Sequence, residues 1–372
     1  MRGWARVLDM RRLLGAAALA LALPLLTTTA TTAASARGPS GPHRLVWQEH
    51  DTPSTESLRG LDAVDTRTAW VAGDDGGVWR TTDGGRSWRD ASPTTAQPLA
   101  YRDVEAFSRR RAAVLAIGEG NASRILLTHD GGRTWRTTFV NHDPAAFYDC
   151  MDFFAGGRRG LAMSDPVDGR FRILATHDGG RSWRVLPSAG MPRADGEFGF
   201  AASGTCLETA GHRDAWIGSG GGAARIYHSR DGGRTWRATT STIPASAAGG
   251  VFSLAFRDRH HGVAVGGDFT KEDLGVDASA RTRDGVRWVG GGDLGGYRSG
   301  ADWARLSRHG RHVWHAARLV VAVGPSGSDV SRTQGRTWRT FSDTGFHAVV
   351  CVRQHTCWAS GTDGRVATLR TP

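Results

Sequence analysis

Eight residues recur along this chain at a nearly constant interval. TTDGGRSW ends at Trp88, THDGGRTW at Trp135, THDGGRSW at Trp183 and SRDGGRTW at Trp236. Two weaker copies, RTRDGVRW and SRTQGRTW, end at Trp288 and Trp338. Successive tryptophans are 47, 48, 53, 52 and 50 residues apart. That period matches one four-stranded blade of a β-propeller. Each copy has the same order: a β-rich run such as LRGLDAV, a second ending in small residues such as AWVAGDD, then a third entering the box. A fourth strand starts at the box tryptophan.

A seventh copy is divided between the two ends of the chain. FHAVVCV and CWASGTDGRVATL supply three strands and stop before any box. HRLVWQEH, near the N-terminus, supplies the fourth, with Trp47 in the box position. Pairing the first strand with the last blade closes the ring and removes exposed sheet edges. The expected fold is all-β: a single seven-bladed propeller of four-stranded antiparallel blades over residues 37–372. Those 336 residues allow 48 per blade.

The boxes resemble the BNR or Asp-box repeat, S-x-D-x-G-x-T-W, of sialidase-type propellers. Seven copies reading like AWVAGDDGGVWRTTDGGRSW resemble more closely the photosystem II stability/assembly factor-like proteins. That resemblance covers the chain after its N-terminal segment, and it implies a propeller used for binding or assembly. An Asp box specifies a fold far better than a function. Asp83, Asp130, Asp178 and Asp231 are therefore expected to shape turns, their carboxylates accepting turn N–H groups. The sixth box agrees, because Thr333 replaces the Asp while the Trp remains.

Residues 1–36 read as a cleaved secretory signal. Four arginines precede the apolar run LLGAAALALALPLL, and Ala34-Ser35-Ala36 forms an A-x-A cleavage pattern. The run is too short to span a bilayer, so no stable membrane insertion is expected after cleavage, and the product should be secreted or periplasmic. The net charge of +11 falls to about +8 without this segment, which holds four Arg and one Asp. Lys271 is the only lysine. Such a skew reads as codon composition, and a nucleic-acid partner is not expected in an exported protein. Four cysteines in that setting favour disulfides over metal sites. Cys351 and Cys357 can pair across a short hairpin, whereas the pairing of Cys150 and Cys206 stays open. No cofactor or metal motif is present, and a monomer is expected.

Ligand chemistry is sought where the innermost strands enter the channel, on the face opposite the boxes. Aligning those strands gives one polar column: Arg59, Arg102, Asp149, Thr205, Phe252, Arg298 and His347. The loops between second and third strands on the same face add Asp165, Asp268 and Ser326. Converging guanidiniums would repel unless something anionic offsets them, which suggests a protein, an acidic small molecule or a glycan as the ligand. A catalytic alternative is a glycan-active enzyme, sialidase-like or another glycoside hydrolase or lyase, with Asp149, Asp165 and Asp268 as candidate carboxyls. Departures from the sialidase pattern weigh against it. No F-R-I-P or Y-R-I-P stretch opens the chain after the signal, and seven blades are expected rather than six.

Overall fold

The computed structural model describes residues 45–304, 319–352 and 356–370. The expected signal, residues 1–36, lies outside them. Seven antiparallel sheets follow one another around a central axis. The innermost strands are Leu58–Ala63, Ala100–Ala106, Tyr148–Phe153, Leu207–Ala210, Gly249–Phe256, Gly300–Ala304 and Ala348–Val352. Each touches its two neighbours, and the last returns to the first.

Closure is by the N-terminal strand. Trp47–His50 pairs antiparallel with Val366–Arg370, placing Trp47 opposite Leu369. The Trp47 ring packs between the sixth and seventh blades, with Phe341 and Phe346 against it. Its indole N–H donates to Ser328 Oγ at 3.0 Å. The terminal strand is thus held by backbone pairing and by a buried aromatic anchor.

The boxes fold alike. In the first, Asp83 accepts from the Ser87 N–H, the Ser87 hydroxyl and the Thr81 hydroxyl at 3.0, 2.6 and 2.9 Å. Asp130, Asp178 and Asp231 repeat this set with Thr134, Ser182 and Thr235. Hydrogen bonds from Ser87 and from Thr134 hold Asp83 and Asp130 down at about 2. In the sixth box Thr333 Oγ1 takes over, accepting from the Thr337 N–H at 2.9 Å. Gly131 and Gly132 both have positive φ, and a side chain on Gly132 would collide with Ala91 of the preceding blade. Positive φ favours glycine at both places, although Gln334 adopts it in the sixth box, and the second glycine is what permits the close blade-to-blade approach. Core aromatics complete that contact: Trp135 meets Trp70 of the first blade edge to face, centroids 6.3 Å apart.

The fifth sheet carries two extra short strands. Glu197–Phe198 pairs with Gly220–Gly221, which joins the innermost strand at Gly250. Glu197–Phe198 belongs to the long connection before the fourth blade and Gly220–Gly221 to the loop between that blade's second and third strands, and together they position the site described next.

Candidate functional site

The channel-facing column arises from a repeated irregularity. Strand register shifts between Leu58 and Gly60, Tyr101 and Asp103, Tyr148 and Cys150, and Val251 and Ser253. The residues skipped are Arg59, Arg102, Asp149 and Phe252. A bulge leaves its extra residue outside the ladder and re-aims the side chain. Here it re-aims one residue in each of four blades.

Arg298 does not belong to this column. Its N–H donates to Gly266 of the preceding blade, as Leu58 donates to Gly361 and Phe346 to Gly324. Arg298 thus occupies the packing position of Leu58, Phe346, Tyr101 and Tyr148, and Ser299 takes the channel position. A one-residue slip sends a strand side chain to the other face. Arg298 is fully buried, and its Nε donates to Asp329 at 2.7 Å. Its Nη1 reaches Ser326 Oγ at 3.1 Å, and that hydroxyl donates to the Glu272 carbonyl. Arg298 and Ser326 therefore tie the fifth-blade loop to the sixth blade and sit apart from the channel cluster.

The mouth is crossed by residues 199–205. The Gly199 N–H donates to Asp165 in the third blade at 2.7 Å. Phe200 stacks on Phe252 of the fifth, centroids 3.6 Å apart. The Ala202 carbonyl accepts from Arg59 in the first, and the Ser203 hydroxyl donates to the Ser299 carbonyl in the sixth. Gly204, at positive φ, lies against Asp103 of the second, where any side chain would clash. The segment is anchored at both ends. Glu197 is buried and bound by Arg225, Ser219 and Tyr227. Cys206 is disulfide-bonded to Cys150. Cys351 and Cys357, directly opposite on paired strands, form the second disulfide.

This bridge sorts the remaining candidates. Asp149 is buried beneath Gly199, with Oδ2 unpartnered. Burial and the neighbouring Asp165 raise it well above the usual carboxylate range, and burial lifts Asp165 itself to about 7. Asp268 is occupied within its own loop, accepting from Ser246 and from the Thr270 N–H and hydroxyl. What remains at the mouth is Arg59, Arg102 and His347, beside the bridge. Arg102 is 8% exposed, and its guanidinium makes no hydrogen bond among the described residues. Burial and Arg59 lower it to about 9, partly opposed by Asp74. Burial, then Arg59 and Arg102, push His347 well below its ordinary value, so the ring is neutral near pH 7, with Nε2 2.9 Å from Ser57 Oγ.

Deeper in the channel lies a ring that the sequence reading passed over. Asp62, Glu105, Asp152, Glu208 and Asp302 occupy one equivalent place on five innermost strands. Asp62 accepts from the Ala106 N–H, Asp152 from Thr209 and Asp302 from Cys351, each in the next blade along the chain. Burial raises Asp62 to about 6 and Asp152 to about 7. The signal was available: an acid three residues after Arg59, Arg102, Asp149 and Thr205. No carboxylate or imidazole group suited to a metal ion occurs among the described residues.

Comparison with known proteins bears on the fold. The chain shares its fold with YCF48. The structure of YCF48 from Cyanidioschyzon merolae superposes with a TM-score of 0.60 at 15% identity, covering 87% of this chain and 98% of that one. A structure described as YCF48 bound to D1 peptide gives 0.58 at 13%, covering 88% and 95%. An ancestral GH74 enzyme gives 0.56 at 14%, over 87% of this chain and 46% of the enzyme. No family model matches the sequence, and no curated protein does.

Proposed function

We propose that the chain is an exported, non-catalytic binding or assembly-factor-like propeller. Its channel mouth recognises an anionic group, such as a carboxylate of an acidic peptide, at Arg59, Arg102 and His347. One observation carries this reading: Arg102 is more than nine-tenths buried, its Nε is sealed from solvent, and its guanidinium makes no hydrogen bond among the described residues. A buried cation is costly until an anion meets it, and guanidinium matches a carboxylate with two parallel bonds. Neutral His347 adds hydrogen-bonding capacity without further repulsion. The peptide in one of the YCF48 structures favours a peptide over a glycan. Glycan hydrolysis finds less support, because Asp149 lies under the bridge and Asp268 is consumed by its own loop.

Replacing Arg102 tests the reading. Arg102→Met should cost at least about tenfold in affinity for an acidic peptide by calorimetry, since a charge-assisted pair is lost. The same change should leave the melting temperature unchanged or raise it, because a buried charge without a hydrogen-bonded partner is removed. Affinity equal to that of the parent would refute the site.

A further inference from the structure

The arginines are not spread evenly over the molecule. Within each blade the turn joining strands one and two lies on the same face as the box. The two are hydrogen-bonded together: Gly84 to the Arg67 carbonyl, Gly131 to Arg110, Gly179 to Arg158 and Gly232 to Arg213. The box supplies an exposed arginine after its glycines at Arg86, Arg133, Arg181, Arg234 and Arg336. The paired turns add exposed Arg67, Arg109, Arg110, Arg158 and Arg213.

The ionised box carboxylates offset part of this charge, but the ten exposed arginines named here outnumber them. The box carboxylates keep their charge while their oxygens are held by turn N–H and hydroxyl groups, so among the described residues they form no ion pair with the arginines beside them. Among the described residues, Arg257 with Asp258 is the ion pair that an arginine of these turns makes. Positive charge meets positive charge across blade boundaries. Besides burial, Arg89, Arg109 and Arg133 lower Arg80, Arg181 lowers Arg111, and Arg336 joins Arg283 in lowering Arg281. A cavity of about 770 Å³ between the fourth and fifth blades opens here, and Arg213, Arg230, Arg257 and Arg259 line it together with Asp214, Asp258 and Asp284.

Equivalent places in a repeat lie at equal depth along the axis. The box arginines therefore form a broad, level array rather than a pocket. A single small anion would meet one or two of them, and a rod-like nucleic acid would lie along one chord. A planar sheet of negative charge meets the whole ring at once. We propose that the Asp-box face is an electrostatic docking surface for a membrane of anionic phospholipid, held at the headgroups without insertion. Docked this way, the channel mouth faces away from the bilayer. The inference uses the face opposite the anion site and stands independently of it.

Vesicle co-sedimentation of the full chain tests it. Vesicles of phosphatidylcholine with about 30% phosphatidylglycerol should retain the protein at about 50 mM salt and release it at about 500 mM, where screening is short-ranged. Replacing Arg86, Arg133, Arg234 and Arg336 with Gln should weaken retention by about tenfold or more. The same charge removed from the other face, at Arg124, Arg170, Arg193 and Lys271, should leave it unchanged. Those four box arginines make no side-chain hydrogen bonds among the described residues, so the variant should keep its melting temperature. Should it fail to fold, the salt and lipid dependence of the parent still decides. Equal retention on pure phosphatidylcholine, indifference to salt, or equal losses from both faces would overturn the proposal. So would binding to soluble duplex DNA or heparin with no binding to vesicles.

Discussion

The two faces of the ring use the same residue types to opposite ends. On the channel-mouth face charges are taken inward. Arg298 is locked to Asp329, Asp149 lies under Gly199, and Glu197 is enclosed by Arg225, Ser219 and Tyr227. Every blade there differs, and a bridging segment interrupts the symmetry. On the Asp-box face the turns repeat nearly unchanged, and the arginines point outward. Uniform turns make a level surface, whereas divergent loops make a specific site. Selectivity and broad adhesion are therefore expected from opposite sides of one molecule.

The contrast can be broken most sharply at the buried ion pair. Asp329→Ala leaves Arg298 uncompensated in the interior and should lower stability by about 3–5 kcal/mol in chemical denaturation. It should leave vesicle binding in place if the protein is assayed well below its new transition. A loss no larger than that of a surface substitution would show that water reaches Arg298.

Titration separates the regions by sign. Asp62, Asp152 and Asp165 have folded values raised to about 6, 7 and 7, so the folded state binds more protons than the unfolded one between roughly pH 4 and 7. Their contribution is fully present below pH 4 and is lost as pH rises through 6 to 7. Asp83, Asp130 and Asp178, held at about 2, behave oppositely, and their contribution is lost only as pH falls below 4 toward 2. The melting temperature should therefore fall between pH 5 and pH 8. A flat profile would mean that the channel carboxyls are fully solvated.

Single turns should matter less. Asp231→Ala removes several hydrogen bonds from one box and should cost about 1–3 kcal/mol, with peptide affinity preserved. Thr333→Asp, restoring the sixth box, should change stability by no more than about 1 kcal/mol, in the stabilising direction. A large gain there would show that the Thr333 hydroxyl is a poor substitute for the carboxylate.

The ring was legible in the sequence because its period, its boxes and its divided seventh copy are all local patterns. Trp47 could be assigned by analogy, since its neighbours read like the strand after any box. The site was harder. Arg298 was aligned with Arg59, Arg102 and Asp149, yet Tyr297 before it stands one place earlier in its strand than Tyr101 and Tyr148 do in theirs. With a period of two, that single step carried Arg298 from the channel into the core. The bridge over residues 199–205 left no local pattern, because its partners lie in blades remote along the chain. The arginines were read as composition because their common face emerges only after the turns are folded side by side.

The divided blade also sets a clock. The strand around Trp47 lies 281 residues before Ser328 and more than 300 before Val366–Arg370, its partners in the closed ring. Until those partners have folded that strand has nowhere to dock, and the open fan of blades keeps two raw edges. Pairing across more than 300 residues cannot be hurried by local structure, so ring completion is expected to be the slow step in maturation. A helper that shields those edges during the wait would affect the yield of folded protein more than its final stability.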